Sequence, residues 1–349
     1  MNSKNKNLIS NKLKKKIYFI AEIGVNHNGD MSLAKKMILA AKKSGADAVK
    51  FQTFKAEDLV TPSTKKVKYQ INTTSPKESH YDMIKSLELS DKNHIILKSF
   101  CKKVDIDFIS TPYGIKSVKF LDKLNCKIFK TASADIVDLE MHKYLAKNNK
   151  FVLISTGMAN MSEIKECVDI YKKYKNKKFI LLHCVSNYPC LLESLNLNIL
   201  TKLKNTFKCD VGYSDHSIGS DAAAISVALG AKVIEKHFTI NKRLKGPDQL
   251  ASILPREFSD MVKKTNQSIL ILGNYEKKCQ PEELQMARVS RKSITFNQHI
   301  EKNMIIKKAH LTLKRPGTGL FYKETEKIIG KKASKSFKKN YQPNLKDFN

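Results

Sequence analysis

From Ile17 onward the chain alternates two patterns. Short runs of apolar, mostly β-branched or aromatic residues are separated by longer stretches whose apolar positions recur every three or four residues. The runs predict strands at Ile17–Ile23, Ala48–Gln52, Asp107–Thr111, Lys127–Ala132, Phe151–Ser155, Lys178–Cys184, Cys209–Tyr213 and Lys232–His237. The longer stretches predict helices at Met31–Lys43, Asp91–Lys103, Ile115–Leu124, Leu139–Lys147, Met161–Tyr174, Asn196–Lys204, Ser220–Leu229 and Glu257–Leu272. Gly45, Gly230 and the Asn148-Asn149 pair stand where helices need a residue tolerant of left-handed backbone. Eight strands, each followed by a helix, predict an α/β fold of the (β/α)8 TIM-barrel type over residues 17–273.

Three segments fall outside this rhythm. Residues 1–16 are polar and Lys-rich and read as a basic N-terminal arm. Ala56–Leu89 is one long polar connection carrying Pro62 and Pro76, and it is expected to fold over the barrel mouth. Beyond the last helix the pattern changes. A polar linker is expected over residues 274–287, then a small β-rich module over 288–349. Its apolar runs are Ser293–Phe296, Met304–Ile306 and Leu311–Leu313. A module of about 60 residues is marginal alone. Its Lys314-Arg315-Pro316-Gly317-Thr318-Gly319 turn presents an arginine on a braced loop.

A barrel of this kind carries its chemistry at the carboxyl ends of its strands. There the sequence places Glu22 and the Asn26-His27-Asn28-Gly29 turn, then Lys50 with Gln52, Thr111, Lys130 with Ser133, Ser155-Thr156-Gly157, Asn187-Tyr188, Ser214 with His216, and His237. Polar groups in a packed barrel need a partner or a function. Lys50 and Lys130 are cations, and Thr111, Ser133, Ser155 and Ser214 carry hydroxyls, a set suited to an anion bearing phosphate and carboxylate. His216 and His237 end the strands flanking Ser220–Leu229, so their imidazoles can converge on one cation; each also fits a simple hydrogen-bonded histidine. Glu22 reads as the one strand-end carboxylate, for proton transfer or to anchor Lys50.

Composition narrows the class. The formal net charge is +31, but only five of the 64 basic residues are arginine and the lysines are spread over every segment. That is a bias on solvated faces rather than a nucleic-acid footprint, and no membrane partner is expected either. Glu22 interrupts the only apolar run near the N-terminus, which argues against a secretory signal. Seven cysteines without a C-x-x-C pair fit reduced thiols in a cytoplasmic protein, with Cys184 read as a small apolar strand residue.

Nine segments, in order, then carry a resemblance: AEIGVNHNG (21–29), GADAVKFQTF (45–54), STP (110–112), ISTGMA (154–159), LLHCVSNYP (181–189), GYSDHSIG (212–219), ALGAKVIEKHFT (228–239), GPD (246–248) and KRPGTG (314–319). With them the chain resembles the sialic acid synthases, the enzymes of N-acetylneuraminate, legionaminate and pseudaminate synthesis. The resemblance implies a TIM barrel joined to a C-terminal antifreeze-like (SAF) domain. It implies condensation of phosphoenolpyruvate with an N-acetylated amino sugar, either N-acetylmannosamine or a 6-deoxy-diacetamido analogue, with release of phosphate. It assigns a divalent metal, Mn²⁺ first and Mg²⁺ or Co²⁺ next, to His216 and His237. Lys50, Thr111, Lys130, Ser133, Ser155 and Ser214 are assigned to phosphoenolpyruvate. Gln52, Asn187, Tyr188 and Asp248 are assigned to the sugar, Glu22 to acid/base work or sugar positioning, and Arg315 to the neighbouring site of a domain-swapped homodimer.

One stretch departs from that family. Where it commonly reads K-I-[GP]-S-G-E, this chain has Lys130-Thr131-Ala132-Ser133-Ala134-Asp135. Gly24-Val25-Asn26 favours the neuraminate and legionaminate branches over the pseudaminate one. Two rivals remain: a Schiff-base aldolase using Lys50, Lys130 or Lys236, and a non-catalytic carbohydrate-binding relative.

Overall fold

The computed structural model describes residues 16–75 and 77–349. The expected N-terminal arm, its Lys16 apart, and Pro76 lie outside the described residues. Contacts divide the chain into a first unit that ends at Gly273 and a second spanning Asn274–Asn349.

The first unit is a closed barrel of eight parallel strands in sequence order: β1 Tyr18–Gly24, β2 Ala48–Thr53, β3 Asp107–Pro112, β4 Ile128–Thr131, β5 Phe151–Ser155, β6 Phe179–His183, β7 Asp210–Asp215 and β8 Ala231–His237. Eight helices alternate with them: α1 Met31–Lys43, α2 Asp91–Lys103, α3 Ile115–Lys123, α4 Leu139–Lys147, α5 Met161–Lys173, α6 Ile199–Phe207, α7 Asp221–Ala228 and α8 Pro255–Leu272. Most strands begin or end a residue or two from their expected bounds. The sixth helix is displaced further, because Asn196 takes a left-handed backbone and Leu192–Ser194 forms a 3-10 turn before it. Gly45, Asn149 and Gly230 all have positive φ at the ends of their helices, where a left-handed residue lets the chain turn back to the next strand.

Successive strand residues point to opposite faces, and this period divides the core in two. Phe19, Ala21, Ile23, Val49 and Phe51 point outward and pack with Met37, Ile38, Leu97 and other helix residues in one large cluster. Tyr18, Ile20, Ala48, Ile109, Ile128, Leu153, Ile180, Leu182 and Val233 fill the lower barrel interior. The next inward positions up these strands include Glu22, Lys50, Thr111, Lys130, Ser155 and Glu235, joined at the same level by Ser214 of β7. The barrel is therefore a dry plug with a polar layer on top.

Several expectations change. The long connection is not an open loop; it folds into short helices at Ala56–Leu59, Lys68–Thr73 and His80–Ser86. His216 lies one residue past the end of β7, whereas His237 is the last residue of β8 and Glu22 lies inside β1, as their expected strands had them. Part of the expected linker is ordered, as a 3-10 turn at Pro281–Glu283 running into a helix at Leu284–Ser290.

In the second unit, β9 Ser293–Phe296 and β10 Leu311–Lys314 pair antiparallel. They pack over a small core that includes Ile294, Phe296, Ile300, Ile306, Ile328 and Phe337. The run Met304–Ile306 forms no strand, only a bridge from Ile305 to Lys332. Among the described residues no helix is long and apolar enough to cross a membrane.

Gly212 sits where the β7–β8 register shifts. A Cβ there would stand 2.7 Å from the Val233 backbone oxygen and 2.5 Å from Leu182 Cδ2. Gly212→Ala is therefore expected to lower stability by about 1–3 kcal/mol, the usual cost of overpacking, through displacement of backbone. Urea unfolding of the variant checks this, and an unchanged midpoint would show that the strands have room to spare.

Candidate functional site

The polar layer opens into a cavity of about 430 Å³ at the carboxyl ends of the strands. Its base is a buried charge quartet. Lys50 Nζ lies 2.7 Å from Glu22 Oε2 and 3.9 Å from Glu235 Oε2, and Lys130 Nζ lies 3.5 Å from Glu235 Oε1. Lys50 donates to Thr111 Oγ1 at 2.9 Å, and Ser214 Oγ donates to Glu235 Oε1 at 2.8 Å. The arrangement follows from register. Glu22 pairs in the ladder with Lys50 on one side and His237 on the other, while Ser214 pairs with Glu235.

The two carboxyls are pushed in opposite directions. Burial raises Glu22 above the ordinary carboxylate range, with Lys50 pulling against it and Glu235 adding to it. Burial would also raise Glu235, but Lys130, Lys50 and the Ser214 hydroxyl together bring it below its ordinary value. Burial lowers Lys130, with Glu235 opposing. Burial also pulls Lys50 down, yet Glu22 and Glu235 outweigh it and leave it raised. One carboxyl is thus held ready to carry a proton while its neighbour stays ionised, the division of labour an acid/base pair requires.

Beside the quartet stand the two histidines, ring centroids 5.6 Å apart, with Tyr188 4.2 Å from His216 and 5.4 Å from His237. His216 Nδ1 lies 2.7 Å from the Val185 carbonyl. A carbonyl only accepts, so Nδ1 carries the proton and Nε2 keeps its lone pair. His237 Nδ1 is buried without a hydrogen-bond partner, with Asp248 Oδ2 at 3.8 Å. Burial lowers the His216 imidazole to about 4. Burial and the neighbouring His216 also lower His237 well below its ordinary value. Two neutral imidazoles, one with an orphaned nitrogen, fit a divalent cation that takes its other ligands from substrate and water. Among the described residues no cluster of three or more His, Cys, Asp or Glu side chains is placed to hold a metal by itself.

Most of the other expected residues reach the same cavity. Gln52 donates to Glu22 Oε1 at 3.4 Å. Ser133 Oγ accepts from Gly157 N at 3.1 Å and lies 3.0 Å from Cys184 Sγ. Ser155 Oγ is buried without a partner, and Asp248 is buried in the wall, its carboxyl raised to about 6 by that burial against the pull of Lys50.

Other placements differ from expectation. Asn187 turns away: its Oδ1 accepts from Tyr188 N, and it lines a separate groove with Tyr69 and Asn72. Arg315 is exposed in the second unit, before a cis peptide bond to Pro316. Cys184 lies just past β6 and lines the cavity instead of filling the strand. Lys236 faces away from the cavity, bonded to Asp215 Oδ2 at 2.6 Å and the Ser217 carbonyl at 2.7 Å, which removes it as a Schiff-base candidate. Asp135 is absent from the lining that Ser133 and Ala134 join. Its carboxyl is raised to about 7 by burial and then by Asp138.

Sequence reasoning missed Glu235, so Glu22 is not the only strand-end carboxylate. Counting back two from His237 would have found it, since both must face inward. It also missed Tyr69 and Tyr113, which line the cavity from the long connection and from just past β3.

The NeuB family profile matches residues 37–277. The chain belongs to the sialic acid synthase family. It is 43% identical over 328 residues to the N,N'-diacetyllegionaminic acid synthase of Campylobacter jejuni, spanning 93% of this chain and 98% of that protein. It is 35% identical to the pseudaminic acid synthase of Helicobacter pylori, over 92% of this chain and 94% of that one. Among solved structures it resembles the N-acetylneuraminic acid (sialic acid) synthetase of Leptospira borgpetersenii, crystallised with citrate. That match has a TM-score of 0.69 and 34% identity, and covers 78% of this chain and 90% of the other. The chain is an enzyme of nonulosonic acid synthesis.

Asp215 and Lys236 are buried, and both lie outside the cavity lining. Removing one partner of a buried pair costs about 3–5 kcal/mol, whereas replacing both with apolar groups costs far less. Asp215→Leu is expected to lower stability by that amount, and adding Lys236→Met should recover part of the loss. Chemical denaturation of the two proteins checks this, and a double variant no more stable than the single one would show that the pair does not set the cost.

Proposed function

We propose that the chain joins phosphoenolpyruvate to an N-acetylated amino sugar in its open-chain form, adds water, and releases phosphate and a nine-carbon acid of the legionaminate type. The observation that carries the reading is the single cavity holding two lysines, a row of hydroxyls, two carboxyls of opposite tendency and two neutral imidazoles. A second acetamido group and a deoxy terminus on the acceptor are favoured over N-acetylmannosamine by the identity to the Campylobacter jejuni enzyme.

Lys50, Lys130, Thr111, Ser133, Ser155 and Ser214 would hold the phosphate and carboxylate of phosphoenolpyruvate. Gln52, Tyr188 and Asp248 would hold the sugar. Carbon–carbon bond formation turns the sugar's aldehyde oxygen into a hydroxyl, which needs a proton, and Glu22, raised by burial, can deliver it. Water then adds to the former enol carbon, giving up a proton that a carboxylate of the same pair can accept. Breaking the carbon–oxygen bond to phosphate completes the turnover. His216 and His237 would hold a divalent cation, manganese first and magnesium or cobalt next. Bound there, it supplies Lewis-acid polarisation of the carbonyl.

The reading extends to the assembly. Val137, Met158, Leu191, Leu192, Ile218 and Leu250 are exposed apolar residues in the loops after β4 through β8, around the cavity's face of the barrel. We take this ring as the seat of a second copy's C-terminal unit, of antifreeze-like type, which brings Arg315 to the sugar in a domain-swapped homodimer. All seven cysteines are free thiols, which fits a cytoplasmic setting.

Phosphate release from phosphoenolpyruvate in the presence of the 6-deoxy-diacetamido sugar tests the reaction. Excess chelator should abolish it and Mn²⁺ restore it, and full activity in chelator would overturn the metal assignment. Arg315→Ala and Glu22→Gln proteins should each be inactive, yet regain activity when mixed and allowed to exchange subunits. In the mixed dimer one of the two sites then carries neither lesion. No recovery after confirmed exchange would mean that Arg315 does not act on a partner's site.

A further inference from the structure

The wall of the cavity is divided by chemistry. On the barrel side the charged and hydroxyl residues of the strand ends dominate, with Ala132, Ala134, Met158 and Cys184 between them. The opposite side is built from the ends of β1 and β2 and from the folded connection after β2, and there Val25, Phe54, Leu59, Met83, Ile84 and Leu87 line the same space. Val25, Phe54, Met83 and Leu87 are buried as a cluster of their own, separate from both barrel cores, with Leu59, Ile84 and Tyr113 packed on it. Were this cluster only a pin for the connection, it would close on itself. Instead every member borders the cavity.

Tyr69, Gln70 and His80 bring polar groups to that side, and of these His80 stands beside the apolar residues of the short helix His80–Ser86. His80 Nδ1 is buried without a hydrogen-bond partner, and His80 lines the cavity three and four residues before Met83 and Ile84, on the same turn of helix. Burial, then Lys66, lowers the His80 pKa, so the ring is neutral near pH 7, with one nitrogen to donate and one to accept.

We infer that this face is an acyl-reading subsite that takes the second acetamido group of the acceptor sugar, its methyl on Met83, Ile84 and Leu87 and its amide on His80 Nδ1. An acetamido group has an apolar end and a polar end about one bond apart, which is the pattern the wall presents. A hydroxyl at the same place, as in N-acetylmannosamine, leaves the apolar wall uncovered. A single methyl-sized contact is worth about 10–200-fold in discrimination. The side chains concerned come from the connection between β2 and α2, so acceptor choice resides in that connection while the chemistry resides in the barrel. This inference rests on the acceptor class proposed above.

The test compares kcat/KM for the 6-deoxy-diacetamido sugar and for N-acetylmannosamine in the wild type, in His80→Phe and in Ile84→Thr. The first variant keeps a ring but removes the nitrogens, and the second places a hydroxyl on the apolar wall and removes one terminal methyl. The expected result is a wild-type preference for the diacetamido sugar that falls at least 10-fold in both variants through that sugar's KM. The KM for phosphoenolpyruvate serves as the check that the barrel side is undisturbed. Equal losses with both acceptors, or an unmoved ratio in folded variants, would overturn the subsite while leaving the reaction assignment intact. A wild type that releases phosphate only with N-acetylmannosamine would overturn the acceptor class, and the subsite with it.

Discussion

Four charges buried inside a closed barrel are the constraint on which the rest of the site depends. Glu22, Lys50, Lys130 and Glu235 each occupy an inward position one layer above an apolar plug. None could be kept there alone, because an unpaired charge in that setting costs several kcal/mol. They are tolerated as a set with zero formal charge, laced to Thr111 and Ser214. In the reaction proposed above, an entering dianion would compete with carboxylates for the same lysines. The site answers by splitting the carboxyl tendencies, so that Glu22 can accept a proton and loosen its hold on Lys50 while Glu235 remains the fixed counter-charge. Binding and proton transfer are one electrostatic problem here.

The two histidines depend on the same arrangement. Burial keeps them neutral, and the nearby lysines reinforce that by making a further positive charge unwelcome. Tyr188 packs on the His216 ring at 4.2 Å and meets Tyr69, from the connection after β2, at 5.4 Å. Through this pair of rings the folded connection bears on the histidine pair.

Much of this was legible in the sequence, for physical reasons. Barrel strands buried on both faces read as dense apolar runs, so lysines and hydroxyls inside them stand out; Lys50, Lys130, Thr111 and Ser214 were found that way. α1, α2 and α4 were placed to the residue because caps and amphipathic spacing agree there. Glu235 escaped notice because it sits within VIEKH, where two charged neighbours look like a strand's exposed end although one faces in and the other out. Asn187 looked equivalent to Tyr188 because sequence proximity does not tell which side of a tight turn a side chain takes. The short helices of the connection after β2 are one or two turns long, too short for periodicity to reveal them. The acyl-facing wall was hidden for the same reason.

The Asp215–Lys236 pair has a consequence for how such a chain can change. On β7 and β8, odd and even positions belong to different worlds: Ser214, Glu235 and His237 face the reaction space, while Asp215 and Lys236 meet each other behind it. The pair acts as a parity check. A single-residue insertion or deletion within β8 would turn Lys236 into the cavity and expel Glu235 and His237 together, and one within β7 would turn Asp215 inward; either breaks the pair and strands the remaining charge against the helices. Loops beyond the strands carry no such check. A change of length is thereby tolerated in the connections, where the wall of the cavity can be reshaped without disturbing the strands beneath.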